Sequence, residues 1–256
     1  MVIIHAIIRR KELMKLMTSL SSQQTEEEEQ RKRQFLLIAG VIFVAFNLRP
    51  AITAVGPLVP IIGLLTTIPL LSFAVFSLLA PRLGLRYGNH TAIFIALLIL
   101  TTGAAIRATG FIAVIFLGTA MVGIGIAICN VLLPGIIKSS FPKKVGIMTS
   151  LYTATMGLFA SLGSGVSIPL SENIGLGWEI TLGVWSLMAL LALVVWFPQI
   201  RKDKKRDKTV KPETEPQSRR SIWSSPLAWQ VTLFMGFQSF LFYSLITWIP
   251  DVLQEL

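Results

Sequence analysis

The residues best suited to chemistry are an arginine and a few amides and phenols that interrupt long apolar stretches. Arg49 stands within FLLIAGVIFVAFNLRPAITAVGPLVPII, residues 35–62, a stretch apolar and long enough to cross a bilayer. A charge near the membrane centre costs about 2.5–3.5 kcal/mol on insertion scales, so such residues usually serve a function. The guanidinium is a rigid fork of donors that suits planar groups bearing oxygen atoms. Arg49 is therefore the first candidate for binding an anionic or strongly dipolar molecule.

A structural role for Arg49 is the alternative to substrate binding. In that role the side chain snorkels to the membrane surface or bonds to backbone carbonyls. None of the 13 Asp and Glu residues lies deep in an apolar stretch, so the sequence offers Arg49 no carboxylate partner. The sequence predicts that Arg49 is the only charge deep in the membrane.

Further polar side chains stand at comparable depths in other apolar stretches. Asn47 and Asn130 each precede a proline by three or four residues, and both are candidates to face one cavity with Arg49. The alternative for each asparagine is an interhelical hydrogen bond, which contributes about 0.6–2 kcal/mol. Tyr152 is a candidate either to line the cavity or to sit near the membrane interface. Gln238 and Tyr243 are candidates in the last apolar stretch.

Composition places the chain among polytopic membrane proteins. Hydrophobic residues make up 53% of the 256 residues and charged residues only 14%, with a mean hydropathy of +0.70. Apolar runs near the ~20 residues that span hydrocarbon recur along the chain, and in lipid such runs must be helices. One cysteine, two peripheral histidines and the absence of nucleotide-binding or nucleophile motifs indicate no metal site, no cofactor and no enzymatic activity.

The hydropathy pattern divides the chain into four parts. A polar leader, predicted to be a solvated tail, covers residues 1–34, and a six-helix bundle covers 35–198. A charged linker without apolar periodicity covers 199–221, and a seventh helix lies within 222–256. Prolines and a glycine predict an unusually short turn at 57–63. The predicted helices cover about 35–57, 63–81, 91–108, 111–137, 145–170, 179–198 and 227–253.

The basic residues give the predicted orientation. All the lysines and arginines except Arg49 and Arg107 lie in the leader, in alternate loops or in the linker. The positive-inside rule places these segments in the cytoplasm and the C-terminal end outside. The net charge of +10 is thus an orientation signal and not a nucleic-acid signal.

Several segments resemble the cyanate/2-nitroimidazole transporter branch (CynX/NimT) of the major facilitator superfamily. They are FNLRPAITAVGPL, GLLTTIPLLSFA, GTAMVGIGIAICNVLLPGIIKSSFP, VGIMTSLYTATM and SPLAWQVTLFMGFQSFLFY, and the similarity covers roughly residues 35–256. The segment PRLGLRYGNH is similar to the superfamily's loop between helices two and three. Leu85 stands where most members carry aspartate, so the charge-relay role of that aspartate is not transferred.

The resemblance implies an all-α membrane protein: a six-helix N-terminal bundle plus the first helix of a second bundle. It implies secondary transport of a small anion or planar nitrogen compound across the cell membrane by alternating access. Rocking of two bundles around a midplane site would need the remainder of the second bundle or a partner chain. The alternatives are a non-transporting membrane fragment and a membrane anchor whose basic leader and linker bind acidic lipids.

Overall fold

Long α-helices account for nearly all of the described chain. The computed structural model describes residues 2–50, 64–109, 111–172, 177–206 and 225–254. The predicted short turn at 57–63 therefore lies outside the described residues. Within the described ranges there is no strand, as the all-α prediction requires, and the only other helical element is a 3₁₀ turn at Pro142–Lys144. The α-helices are α1 Val2–Leu48, α2 Leu64–Tyr87, α3 Asn89–Arg107, α4 Ile112–Ser140, α5 Val145–Glu172, α6 Gly177–Arg206 and α7 Pro226–Gln254.

The polar leader is part of α1. The helix runs without a break from Val2 to Leu48, so the leader is helical and continuous with the apolar segment. Residues 23–36 are exposed, and the ion pair from Arg33 to Glu29 at 2.9 Å is a surface pair of the kind that contributes little to stability. The expectation of a solvated tail holds for these residues, and the structure adds that the tail is helical, because Glu, Gln, Lys and Arg are good helix formers.

Two predicted helix ends, at 81 and 198, come too early in the chain. Helix α2 continues six residues past Pro81 to Tyr87, and α6 continues through Pro198 to Arg206. Membrane helices tolerate proline when the freed backbone groups find other partners. The predicted linker therefore starts too early: residues 199–206 are helical, Gln199 is fully buried, and 207–224 lie outside the described residues.

A single glycine separates α2 from α3. Gly88 has φ 84°, in the left-handed region that glycine adopts without steric cost. Its N–H donates to the carbonyl of Gly84, and its own carbonyl accepts the N–H of Ala92. The predicted loop at 81–90 is thus a tight break between two helices. Leu85 is exposed within it.

Glycines on α4 set the closest helix contacts of the bundle. A Cβ on Gly118 would lie 2.6 Å from the Gly103 carbonyl oxygen, and one on Gly125 would lie 2.7 Å from the Ala96 carbonyl oxygen. A Cβ on Gly123 would lie 2.7 Å from the Cα of Pro69 on α2. Small residues permit this close approach in membranes. Helix α4 is consequently packed along both α3 and α2, and it is the most buried membrane helix described.

Helix α6 packs along α3 and α1. The fully buried Trp196 donates a hydrogen bond from Nε1 to the His90 carbonyl at 3.0 Å and stacks on the His90 ring at 5.8 Å between centroids. Gly40 on α1 leaves room for the indole, since a Cβ there would lie 2.9 Å from Trp196 Cε3. These contacts join α1, α3 and α6 at one end of the bundle.

Helices α5 and α7 have the freest surfaces. Helix α5 packs mainly on α1, where the Phe159 ring lies 3.8 Å from the Phe46 ring between centroids. A Cβ on Gly157 of α5 would meet nothing within 4 Å. Residues 229–241 of α7 are exposed throughout. Five segments of the described chain are long and apolar enough to cross a membrane: Thr67–Tyr87, Asn89–Arg107, Ala113–Ser140, Pro142–Gly163 and Thr181–Ile200. The fold is that of a multi-pass membrane protein.

Candidate functional site

A hydrogen bond between two predicted site residues forms the centre of the candidate site. The Tyr152 hydroxyl on α5 donates to Asn130 Oδ1 on α4 at 2.7 Å. Tyr152 is only 8% exposed, and Asn130 is half-buried. Buried polar groups of this kind are costly in hydrocarbon unless they are paired. The pair therefore connects α4 and α5 at a polar position in an otherwise apolar interior.

Arg49 joins this pair from α1. It lies in the turn directly after Leu48, and its side chain is half-buried. The guanidinium lies near enough to the Tyr152 phenol for an electrostatic interaction between the two groups. Three side chains from α1, α4 and α5, each selected from sequence, thus converge on one region of the bundle.

Asn47 makes contacts of a different kind. Its Nδ2 donates to the Phe43 carbonyl of its own helix at 2.9 Å and to the Met188 carbonyl of α6 at 3.1 Å. The two bonds engage both N–H groups of the amide, and the side chain is 4% exposed. Asn47 thereby fixes α1 against α6 two residues before Arg49. Its direct participation in binding stays a prediction.

The two candidates on α7 are not brought to the site by the described contacts. Gln238 lies in the exposed stretch of α7, and α7 packs extensively on no other described helix. Tyr243 belongs to α7, but its side chain lies outside the described part of the chain. A role for either residue stays a prediction.

Apolar side chains border the polar cluster. Cys129 is fully buried next to Asn130 in sequence. A small apolar crevice between α1, α4 and α5 has Tyr152 as one wall; its other lining residues are Ile38, Val41, Ile42, Ile137, Phe141, Met148 and Leu151. Low-polarity surroundings of this kind strengthen electrostatic interactions with a bound ligand.

A second buried arginine was not expected from the sequence. Arg107 ends α3 and is 1% exposed, so a second arginine is buried inside the protein, at a helix end and not in the middle of an apolar stretch. That Arg49 is the only charge deep in the membrane stays a prediction. Its Cγ would lie 2.7 Å from a Cβ on Gly118, which shows that the absent side chain at Gly118 makes the space for it. Gly103 on α3 and Gly118 on α4 lie at similar distances in sequence from the turn between the two helices, and Arg107 is one helical turn from Gly103. This spacing of glycines is the sequence signal that could have indicated the burial of Arg107.

The chemistry open to the candidate site is binding by hydrogen-bond donors. Arg49 supplies only donors, and the amide of Asn130 supplies two N–H groups. Among the described residues there is no group of three or more His, Cys, Asp or Glu that would hold a metal ion. The cluster suits a ligand with acceptor oxygen or nitrogen atoms.

Comparison with known proteins agrees with this architecture. Residues 34–256 match the Major Facilitator Superfamily. The chain is 50% identical over 233 residues to the uncharacterized transporter YycB of Bacillus subtilis (strain 168), which covers 87% of this chain and 57% of that protein.

Two Escherichia coli (strain K12) proteins are also similar. The 2-nitroimidazole transporter is 42% identical over 231 residues, covering 86% of this chain and 58% of that protein. The cyanate transport protein CynX is 26% identical over 227 residues, covering 84% of this chain and 58% of that protein. The chain thus spans a little under three-fifths of the length of these curated relatives. The superfamily match extends over nearly everything after the leader, and the seven helices follow in the expected order. The chain therefore belongs to the Major Facilitator Superfamily.

Proposed function

We propose that this protein takes part in secondary transport of a small solute, with Arg49, Asn130 and Tyr152 as its substrate-binding residues. The observation that carries the proposal is their convergence from three helices on one polar region of an apolar bundle. An intramembrane arginine at a helix end, beside a hydrogen-bonded amide, is a common way to hold an anionic group. The proteins named for 2-nitroimidazole and cyanate transport, both ligands rich in acceptor atoms, support the same substrate class.

Alternating access is the mechanism that we propose for this transport. In transporters built from two bundles, substrate binds near the membrane midplane and the bundles rock around it. Helices α1 to α6 supply one bundle, and the exposed faces of α5 and α7 are available to the second bundle or to a partner chain that provides its equivalent. We place the protein in the cell membrane with its N-terminus in the cytoplasm and its C-terminal end outside, following the basic residues.

Substitution of Arg49 tests the proposal. We expect Arg49→Lys to weaken uptake of cyanate or 2-nitroimidazole at least tenfold although the charge is kept, because the bidentate donor geometry is lost. Arg49→Leu should abolish uptake without loss of membrane insertion, since a costly charge is removed from the bilayer. Uptake is measured in cells expressing the chain alone and together with the second bundle of the Bacillus relative.

The matched control is Arg86→Leu, which removes an exposed arginine at the end of α2. Uptake should be unchanged in this variant. If Arg49→Lys transports normally while Arg49→Leu no longer accumulates in the membrane, Arg49 is a structural residue and the proposed site is wrong.

A further inference from the structure

We infer that Tyr152 is a positioning residue that sets the donor–acceptor polarity of the site by fixing the amide of Asn130. The inference rests on the proposed function and adds a rule for the substrate: its polar group must accept hydrogen bonds and not donate them. The geometry behind it is the 2.7 Å bond from the Tyr152 hydroxyl to Asn130 Oδ1.

The direction of this bond determines what Asn130 offers to a ligand. A phenol has one proton to donate, and here the amide oxygen accepts it. An amide has one acceptor end and one donor end, so engaging Oδ1 leaves the Nδ2 end for another partner. In the part of the chain that the structure describes, the Nδ2 group of Asn130 makes no hydrogen bond, in contrast to that of Asn47, which makes two.

Burial keeps the amide in this orientation. Tyr152 is 8% exposed, with the apolar crevice on one side and α4 on the other, so water has little access to compete for Oδ1. An amide without the phenol could rotate about its terminal torsion and present oxygen instead of nitrogen, since the two ends have nearly the same shape. The hydrogen bond from the Tyr152 hydroxyl holds Oδ1 toward α5 and leaves the Nδ2 end of the amide for a ligand.

Arg49 reinforces the same polarity. A guanidinium carries five N–H donors and no acceptor, and this one lies within electrostatic reach of Tyr152. Together the guanidinium and the Asn130 amide nitrogen form a donor-rich site. A nitro, carboxylate or cyanate group can accept hydrogen bonds from both, whereas an amino group in the same place sets donor against donor, and a site built to hydrogen-bond rejects such a mismatched ligand.

The test compares two ligands that differ in one group. 2-Nitrothiazole carries acceptor oxygens where 2-aminothiazole carries donor hydrogens on the same ring, and both compounds are neutral at pH 7, so net charge does not enter the comparison. The full chain in lipid nanodiscs is titrated with each compound, and the ratio of the two dissociation constants is the readout. We expect the wild-type chain to prefer the nitro compound at least 100-fold.

Two variants then separate positioning from packing. Tyr152→Phe keeps the ring and removes the hydroxyl, so the amide is free to rotate; the ratio should fall about threefold to tenfold, as expected for one hydrogen bond. Asn130→Asp keeps an acceptor for Tyr152 but replaces the N–H donors by oxygen, so it should reverse the preference toward the amino compound. Tyr87→Phe, at a half-exposed tyrosine at the end of α2, is the matched control and should leave the ratio unchanged.

The outcomes distinguish this inference from the proposed function. If Arg49→Leu abolishes binding of the nitro compound while Tyr152→Phe and Asn130→Asp leave the ratio at its wild-type value, the site stands and the positioning role is wrong. If both variants weaken the two ligands equally, Tyr152 only packs, and the inference is again wrong. If the wild-type chain binds neither compound saturably, or Arg49→Leu binds as well as wild type, the proposed binding site itself is wrong.

Discussion

Gly103 and Gly118 lie backbone to backbone where α3 crosses α4. A Cβ on Gly103 would fall 2.7 Å from the carbonyl oxygen of Gly118, and a Cβ on Gly118 would fall 2.6 Å from that of Gly103. Ala96 and Gly125 repeat the relationship one heptad further along each helix. A heptad spacing keeps the same faces together along an antiparallel helix pair. The α3–α4 hairpin is therefore held by a seam of small residues.

A methyl group in this seam should destabilise the bundle. We expect Gly118→Ala to cost about 1–3 kcal/mol, because the new Cβ meets backbone and cannot be accommodated by rotating a side chain. The cost should appear as a lower melting temperature of the purified protein in detergent. Gly157→Ala on α5, where a Cβ meets nothing within 4 Å, is the control and should melt at the wild-type temperature or higher. Equal melting of the two variants would show that α3 and α4 do not approach this closely.

Removing the indole N–H of Trp196 should loosen the start of α3. Trp196→Phe deletes the hydrogen bond to the His90 carbonyl and leaves a small void beside Gly40. We expect faster amide hydrogen exchange in the first two turns of α3, measured by mass spectrometry. Val194→Ala changes an exposed residue two positions earlier on α6 and should leave exchange in α3 unchanged. Unchanged exchange in Trp196→Phe would mean that packing alone holds this end of the bundle.

The orientation in the membrane is open to a labelling experiment. Phe111, between α3 and α4, is 72% exposed, and Lys143, between α4 and α5, is exposed as well. We expect a membrane-impermeant maleimide to label Phe111→Cys in intact cells and Lys143→Cys only after the cells are permeabilised. The native Cys129 is fully buried, so the unsubstituted chain supplies the background. The reverse labelling pattern would invert the proposed orientation.

The helices were predictable because hydropathy dictates them, whereas their ends depend on contacts that local sequence does not contain. Helix α3 was predicted to within a few residues at each end. The predicted ends at 81 and 198 follow from where the apolar stretches give way to charged segments. In the fold Pro81 and Pro198 lie inside helices, because the membrane gives the freed backbone no better partner outside the helix.

The candidate site was predictable in its members but not in its pairing. A polar residue in an apolar helix is visible in the sequence, so Arg49, Asn130 and Tyr152 were all identifiable. The pairing depends on how α1, α4 and α5 are rotated against one another. In the fold Tyr152 bonds to Asn130, and Asn47 bonds to the Met188 carbonyl of α6. Arg107 was missed for the same reason: an arginine at a helix end resembles an interfacial residue until the space beside Gly118 is known.

Helix α1 runs without a break from the leader to Leu48, so the leader and the segment next to Arg49 are parts of one helix. At 1.5 Å per residue, the helical leader reaches about 50 Å from the start of the apolar segment, so it is a lever arm attached to the segment that ends at Arg49. A tilt of about 5° in the apolar segment would carry the far end of such an arm by about 4 Å. A small tilt beside Arg49 would therefore appear as a larger displacement at the far end of the leader.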